Sequence, residues 1–262
     1  MNWSDIREGE LKEVFDSLEE AFLARQIDFY LIGALARNVW YERGNKNFRT
    51  TRDLDFAVLI SNKEDYELVR TYLIEHKGFN GTKGNAFIMR SPAGVEIDML
   101  PFGALEIDEE GNGFLEVYHT GTEEVRLKTG HRFKIATLPA IVLLKLIAYD
   151  DRPEIRLKDA GDIINIMTHY FELEAAMIYE GHADLFAAED GDLGVVAATV
   201  IGREIKNIAA DNAVLHQRLK GIIMKQLALK EQSAFIRNMV IEIGSNVAAV
   251  TTLLESLLKG LS

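Results

Sequence analysis

A chain of 262 residues with 48% apolar and 27% charged side chains falls among globular proteins of about two domains, outside the disordered, collagen-like and repeat classes. It has no cysteine, which excludes disulfides, thiolate metal sites, iron–sulfur clusters and cysteine nucleophiles. The formal charge of −12, from 29 basic and 41 acidic residues, opposes long-range attraction to a polyanion, so binding RNA demands a local basic patch. The strongest basic run is Arg126, Lys128, His131, Arg132 and Lys134, and a second is Lys46, Arg49 and Arg52; runs of this kind are more often solvated edges.

Residues 1–28 are expected to form an amphipathic helix, because Leu11, Val14, Phe15, Leu18, Ala21 and Phe22 recur at helical steps. Strand-like Phe29–Ile32, helical Leu35–Tyr41 and strand-like Leu54–Leu59 follow. Ser61-Asn62-Lys63-Glu64 is a capping box opening a helix with Tyr66, Val69 and Leu73 on its apolar face. Gly78, Gly81 and Gly84 break the pattern. Ala86–Arg90 and Val95–Leu100 are predicted as an antiparallel hairpin around Ser91-Pro92-Ala93-Gly94. A turn at 108–113 leads into Phe114–His119 and Val125–Leu127, expected as further strands or an inserted arm. From Thr137 the period is near 3.6, with a loop at the glycines near 181 and 191–194 and helices expected over 195–210, 213–230, 233–243 and 246–260. The fold class is therefore α+β: a small mixed sheet with flanking helices over 1–136, then an all-helical bundle over 137–262. Leu138–Leu144, the longest apolar run, stops at Lys145 and is too short to cross a bilayer. The N-terminal Met1–Asp5 has no secretory character. The expectation is a cytoplasmic protein without membrane attachment.

Chemistry is concentrated in three separated pieces: Ile32-Gly33-Ala34 before a helix, Arg52-Asp53-Leu54-Asp55-Phe56 entering a strand, and Val95-Glu96-Ile97-Asp98-Met99 on a later strand. Strand side chains alternate, so Asp53 and Asp55 share one face while Leu54 and Phe56 take the other. In the later strand Val95, Ile97 and Met99 face the core and leave Glu96 and Asp98 opposite. If the strands are neighbours, three carboxylates meet on one surface, where they repel unless cations neutralise them. Mg²⁺ takes such oxygen ligands and leaves places for phosphate. Small residues at Gly33 and Ala34 let the amides of the following helix approach a phosphate.

This pattern resembles the nucleotidyltransferases related to DNA polymerase β, and within them the AbiEii/AbiGii-like nucleotidyltransferase toxins, through Gly33-Ala34, Arg49-Thr50-Thr51-Arg52-Asp53-Leu54-Asp55-Phe56, Asp98, Lys145 and Lys158-Asp159-Ala160-Gly161-Asp162. The resemblance covers about residues 29–168. It implies a polymerase β-like core that moves a nucleoside monophosphate from an NTP to an acceptor hydroxyl. Asp53, Asp55 and Asp98 would bind two Mg²⁺. Gly33 and Ala34 would cradle phosphates, with Lys158 and Asp159 at the nucleotide, and Lys145 would neutralise triphosphate charge. Arg49 and Arg52 flank the carboxylates, where they could hold triphosphate or an acceptor or simply be solvated. The resemblance further implies an RNA acceptor such as the tRNA 3′ end, and an antitoxin partner. Ala34 departs from the family's Gly or Ser and removes a hydroxyl contact.

On its own physics, a lysine in the apolar Leu138–Tyr149 helix needs a carboxylate or a bound phosphate as partner, or a stem that reaches water. A cationic antibiotic as acceptor, suited to an acidic surface, and a non-catalytic nucleotide-binding module are the alternative functions, and a protein hydroxyl is a further acceptor class. The six histidines have no metal-ligand spacing. Gly81-Thr-Lys-Gly84 lacks the P-loop pattern, and Glu189-Asp190-Gly191-Asp192 is a loop rather than a calcium site.

Overall fold

Leu11, Val14, Phe15, Leu18, Ala21 and Phe22 form the buried stripe of helix α1 (Glu8–Leu23) in a computed structural model that describes residues 8–46, 50–82, 84–103, 111–188 and 192–262. Arg49 and Lys83 lie outside the described residues, as do 108–110 of the expected turn and Glu189, Asp190 and Gly191. The chain divides into two compact units, 1–109 with 122–137, and 110–121 with 138–262. The segment 110–121, expected with the sheet, thus clusters with the helices of the second unit.

In the first unit, α1 is followed by β1 (Phe29–Ile32), α2 (Gly33–Arg43), β2 (Asp53–Ile60), α3 (Lys63–Lys77), β3 (Asn80–Thr82), β4 (Asn85–Arg90), β5 (Glu96–Gly103), β6 (Thr122–Arg126) and β7 (Arg132–Ala136). They build a seven-stranded mixed sheet in the order β3-β4-β5-β2-β1-β7-β6. The predicted hairpin is β4–β5, antiparallel, with Met89 opposite Ile97. β2 runs parallel to β5, and β1 runs antiparallel to β2 but parallel to β7.

One sheet face is apolar because alternate residues point there. Phe15 of α1 packs edge-on against Phe56 and Phe133, with ring centroids 6.3 and 5.0 Å apart. On the same face α3 is anchored by Tyr66, whose hydroxyl donates to the Met99 carbonyl at 3.0 Å; burial pushes this phenol above its ordinary value, Arg70 opposing and Asp98 adding. The cap of α3 sits one residue later than expected: Asn62, not Ser61, accepts from Asp65 N–H at 2.9 Å and donates back to the Asp65 carboxylate at 2.8 Å. Helix α2 lies on the other face, where Trp40 Nε1 donates to the Ala136 carbonyl at 2.8 Å. The short strand β3 forms where the glycines suggested only a break.

The second unit is helical: α4 (Phe114–Thr120), α5 (Leu138–Asp151), α6 (Leu157–Leu173), α7 (Ala175–Gly181), α8 (Asp184–Ala188), α9 (Leu193–Ile208), α10 (Ala213–Leu229), α11 (Ala234–Ile243) and α12 (Val247–Leu261). Phe114–His119, expected as a strand or part of an inserted arm, is helix. Its aromatic and β-branched residues favour strand, but Gly113 in the left-handed region starts a turn whose first N–H bonds the Asn112 side chain at 3.0 Å, and Val117 is fully buried. The last four helices begin at side-chain caps from Asp192, Asn212, Ser233 and Asn246. α9 and α12 cross with backbones touching: a Cβ on Gly260 would lie 2.0 Å from the Thr199 carbonyl oxygen, and one on Gly202 2.2 Å from that of Leu257. Among the described residues no single helix is long and apolar enough to cross a membrane.

Candidate active site

The register of four neighbouring strands places the acidic residues. Asp55 on β2 stands opposite Ile32 of β1 on one side and Asp98 of β5 on the other, while Ile88 of β4 stands beyond Asp98. Two residues along, toward the rim, a second row runs Asp53, Glu96, Arg90. Directly paired residues in a sheet point to the same face, so Asp53, Asp55, Glu96 and Asp98 share the face that carries α2. The alternation is visible in burial: Leu54, Phe56, Ile97 and Met99 are fully buried, whereas Asp53 is exposed and Asp55 and Asp98 are half-buried. Arg90 Nη2 donates to Glu96 Oε2 at 3.1 Å.

Gly33 lies against this cluster. Its φ of +69° is in the left-handed region, and a Cβ there would meet Asp55 Oδ2 at 2.1 Å, so only glycine lets α2 begin beside the carboxylate. Ile32 at the N-cap supplies no side-chain bond, and the dipole of α2 favours an anion at this end of the helix. Ala34 adds no hydroxyl. One turn on, Arg37 and Asn38 are buried, with Arg37 Nε and Nη2 donating to Asn38 Oδ1 at 3.3 and 3.1 Å. Among the described residues no three His, Asp or Glu side chains stand close enough to ligate one ion as they are. Register therefore brings the acids to one face without gathering three of them to one point.

In the helical unit, Lys145 of α5 is held by two carboxylates of α6, Asp159 Oδ1 at 2.6 Å and Asp162 Oδ2 at 2.8 Å. Burial alone would lower the lysine's pKa, but attraction to Asp162 and Asp159 prevails and raises it. Of the three partners the sequence left open, the structure shows carboxylates. Lys158 is exposed on the same first turn.

The sequence signature of the family described as nucleotidyl transferase AbiEii toxin, type IV toxin–antitoxin system, matches residues 17–240. The chain belongs to the AbiEii nucleotidyl transferase toxin family. This AbiEii protein is thus a nucleotidyltransferase, and its mixed sheet with flanking helices and helical second unit is the α+β class its sequence predicts. A solution structure of the antibiotic-resistance factor ANT(2'')-Ia is similar with a TM-score of 0.40 and 12% identity, over 70% of this chain and 99% of that one. No curated protein matches.

The strongest basic run of the AbiEii chain is not at the carboxylates. Tyr30 pairs with Lys134, and Arg126 with Arg132, which puts Arg126 and Arg132 at the opposite end of the sheet from Asp53, roughly 20 Å away along the strands. The run is also engaged by acids. Lys128 bonds Glu42, Arg132 Nη1 lies 3.4 Å from Glu124, and buried His131 Nε2 lies 3.0 Å from Asp16. Arg52 is exposed immediately before Asp53. Arg90 went unnoticed in the sequence, although a hairpin turning at 91–94 places it directly across from Glu96.

Proposed function

We propose that the chain transfers a nucleoside monophosphate from an NTP to a hydroxyl of RNA, such as the tRNA 3′ end, using two Mg²⁺ held by Asp53, Asp55 and Asp98. The observation that carries the reading is the in-register pairing of Asp55 with Asp98 beside a glycine whose Cβ would occupy the Asp55 carboxylate. The donor set fits the ion, since all three side chains offer hard oxygen ligands. When bound, Mg²⁺ supplies charge neutralisation for the triphosphate and acidifies the acceptor hydroxyl. Asp53 and Asp55 orient the triphosphate, and the amides at Gly33 and Ala34 hold its terminal phosphates. The bond from acceptor oxygen to α-phosphorus forms as the α–β bridging bond breaks. Pyrophosphate leaves, and the hydroxyl proton passes to an Asp98 carboxylate oxygen and on to water. Arg52 contacts the triphosphate from the strand entrance. The nucleotide roles of Lys145, Lys158 and Asp159 are proposed on family resemblance alone, as is an antitoxin partner, and that of Arg49 on its place in the sequence beside the carboxylates.

The test is transfer of label from NTPs, with Mg²⁺, into RNA, cationic antibiotics or protein. Label in RNA, lost in folded Asp55→Asn and Asp98→Asn variants, is the expected result; transfer surviving both substitutions removes the chemistry. A small cationic acceptor is the second reading. It is favoured by the charge of −12 and by the ion-paired state of the basic run, and label in the antibiotic pool would select it.

A further inference from the structure

The proposed reaction has a direction across the sheet. The triphosphate's leaving end is gathered at α2, on the β1 side of Asp55, because Gly33 is the residue against that carboxylate. Attacking and leaving oxygens lie roughly in line through the phosphorus. The acceptor therefore arrives from the other side, over Asp98 and then β4. Toward this face β4 presents Ile88, opposite Asp98, and Arg90, opposite Glu96. Arg90 is 57% exposed, and its Nη2 donates to Glu96 Oε2 at 3.1 Å. One bond to Glu96 leaves further guanidinium N–H groups for another anion. One strand and two residues separate Arg90 from Asp98, a diagonal of about 7–8 Å.

We propose that Arg90 binds the acceptor, taking the phosphodiester next to the reacting hydroxyl while Ile88 packs against the terminal nucleoside. Glu96 is a positioning residue that confines the Arg90 side chain to this path. The acceptor class that fits is a polynucleotide end, because the guanidinium N–H groups not used by Glu96 donate to phosphodiester oxygens and offer nothing to an ammonium group. This inference rests on the nucleotidyl-transfer reading and gives that site its acceptor side. It also replaces the 126–134 run, which lies at the far end of the sheet, as the source of phosphate contacts.

The experiment compares RNA acceptors whose last phosphodiester is native or a neutral methylphosphonate, using full-length wild type, Arg90→Ala, Arg90→Lys and the triple variant Arg126→Ala/Lys128→Ala/Arg132→Ala. Expected for Arg90→Ala is an acceptor KM raised about tenfold or more, with the NTP KM held and the salt slope of RNA binding reduced by about 1. The neutral linkage should weaken wild type by the same factor and leave Arg90→Ala indifferent. Arg90→Lys should restore part of the loss, and the triple variant should match wild type. If wild type labels RNA but Arg90→Ala responds to the neutral linkage as wild type does, the Arg90 assignment alone is overturned. If wild type labels a cationic antibiotic and not RNA, the acceptor class is overturned with it. If no acceptor gains label, the transfer reading itself falls.

Discussion

Gly33→Ala separates the architecture of the site from the stability of the fold. The left-handed φ of +69° costs an alanine about 1–2 kcal/mol. Its Cβ would begin 2.1 Å from Asp55 Oδ2, so the carboxylate must retreat by about 1.3 Å or more to reach ordinary contact distance. Asp55 is half-buried and the collision is with its side chain alone, so the fold should lose little beyond the backbone strain. At about 2–4 °C per kcal/mol for a chain of this size, Tm should fall by roughly 2–8 °C. Catalysis has no such tolerance, because a displacement of about 1 Å in a reacting constellation costs about 10²-fold. Single-turnover transfer at saturating NTP and Mg²⁺, measured beside thermal unfolding, reads both quantities. Gly130→Ala is the control: Gly130 has φ +92° but nothing within 4 Å of its Cβ position, so it shares the strain without the collision and should keep its rate. A Gly33→Ala protein within threefold of wild-type activity would refute the placement of Gly33 against a working Asp55.

Lys145→Met removes the cation between Asp159 and Asp162, whose side chains are only 9% and 17% exposed, and should destabilise by about 3–5 kcal/mol in chemical unfolding. In wild type the raised lysine pKa contributes stability in full below its ordinary value, about 10.4, and that contribution fades as pH rises through the folded value. The variant lacks the ammonium and with it this pH dependence, so its deficit should shrink as pH rises through the folded lysine value; a deficit independent of pH would rule out the ion pair as its origin. Gly260→Ala should force α9 and α12 apart and lower stability by about 1–3 kcal/mol. Gly221→Ala, on α10 with nothing within 4 Å, should raise it by up to about 1 kcal/mol. Equal Tm shifts for the two would show that the helix crossing is looser than described.

What could be read without coordinates was local. A stripe of apolar residues three or four apart defines α1, and the periods after residue 192 define α9 to α12 to within a few residues of 195–210, 213–230, 233–243 and 246–260. The Pro-Ala-Gly turn defines the β4–β5 hairpin, and alternation sends Asp53 and Asp55 to one face and Leu54 and Phe56 to the other. Each of these follows from backbone geometry over a few residues. The helix at Phe114–Thr120 was missed because Val117 is buried by distant parts of its own unit, and burial is not written in a seven-residue stretch. Register is likewise non-local: that Asp98 pairs with Asp55, or that β7 slots in beside β1 and, with β6 paired to it, puts Arg132 and Arg126 at the far end of the sheet, depends on strands whose separation in sequence sets no alignment. Nor could sequence choose the partner of Lys145, since carboxylate, phosphate and water all satisfy a buried ammonium until packing delivers one. Residue order therefore determined which side chains carry the chemistry, and tertiary pairing decided which of them stand together, because face is a property of the strand and neighbourhood a property of the sheet.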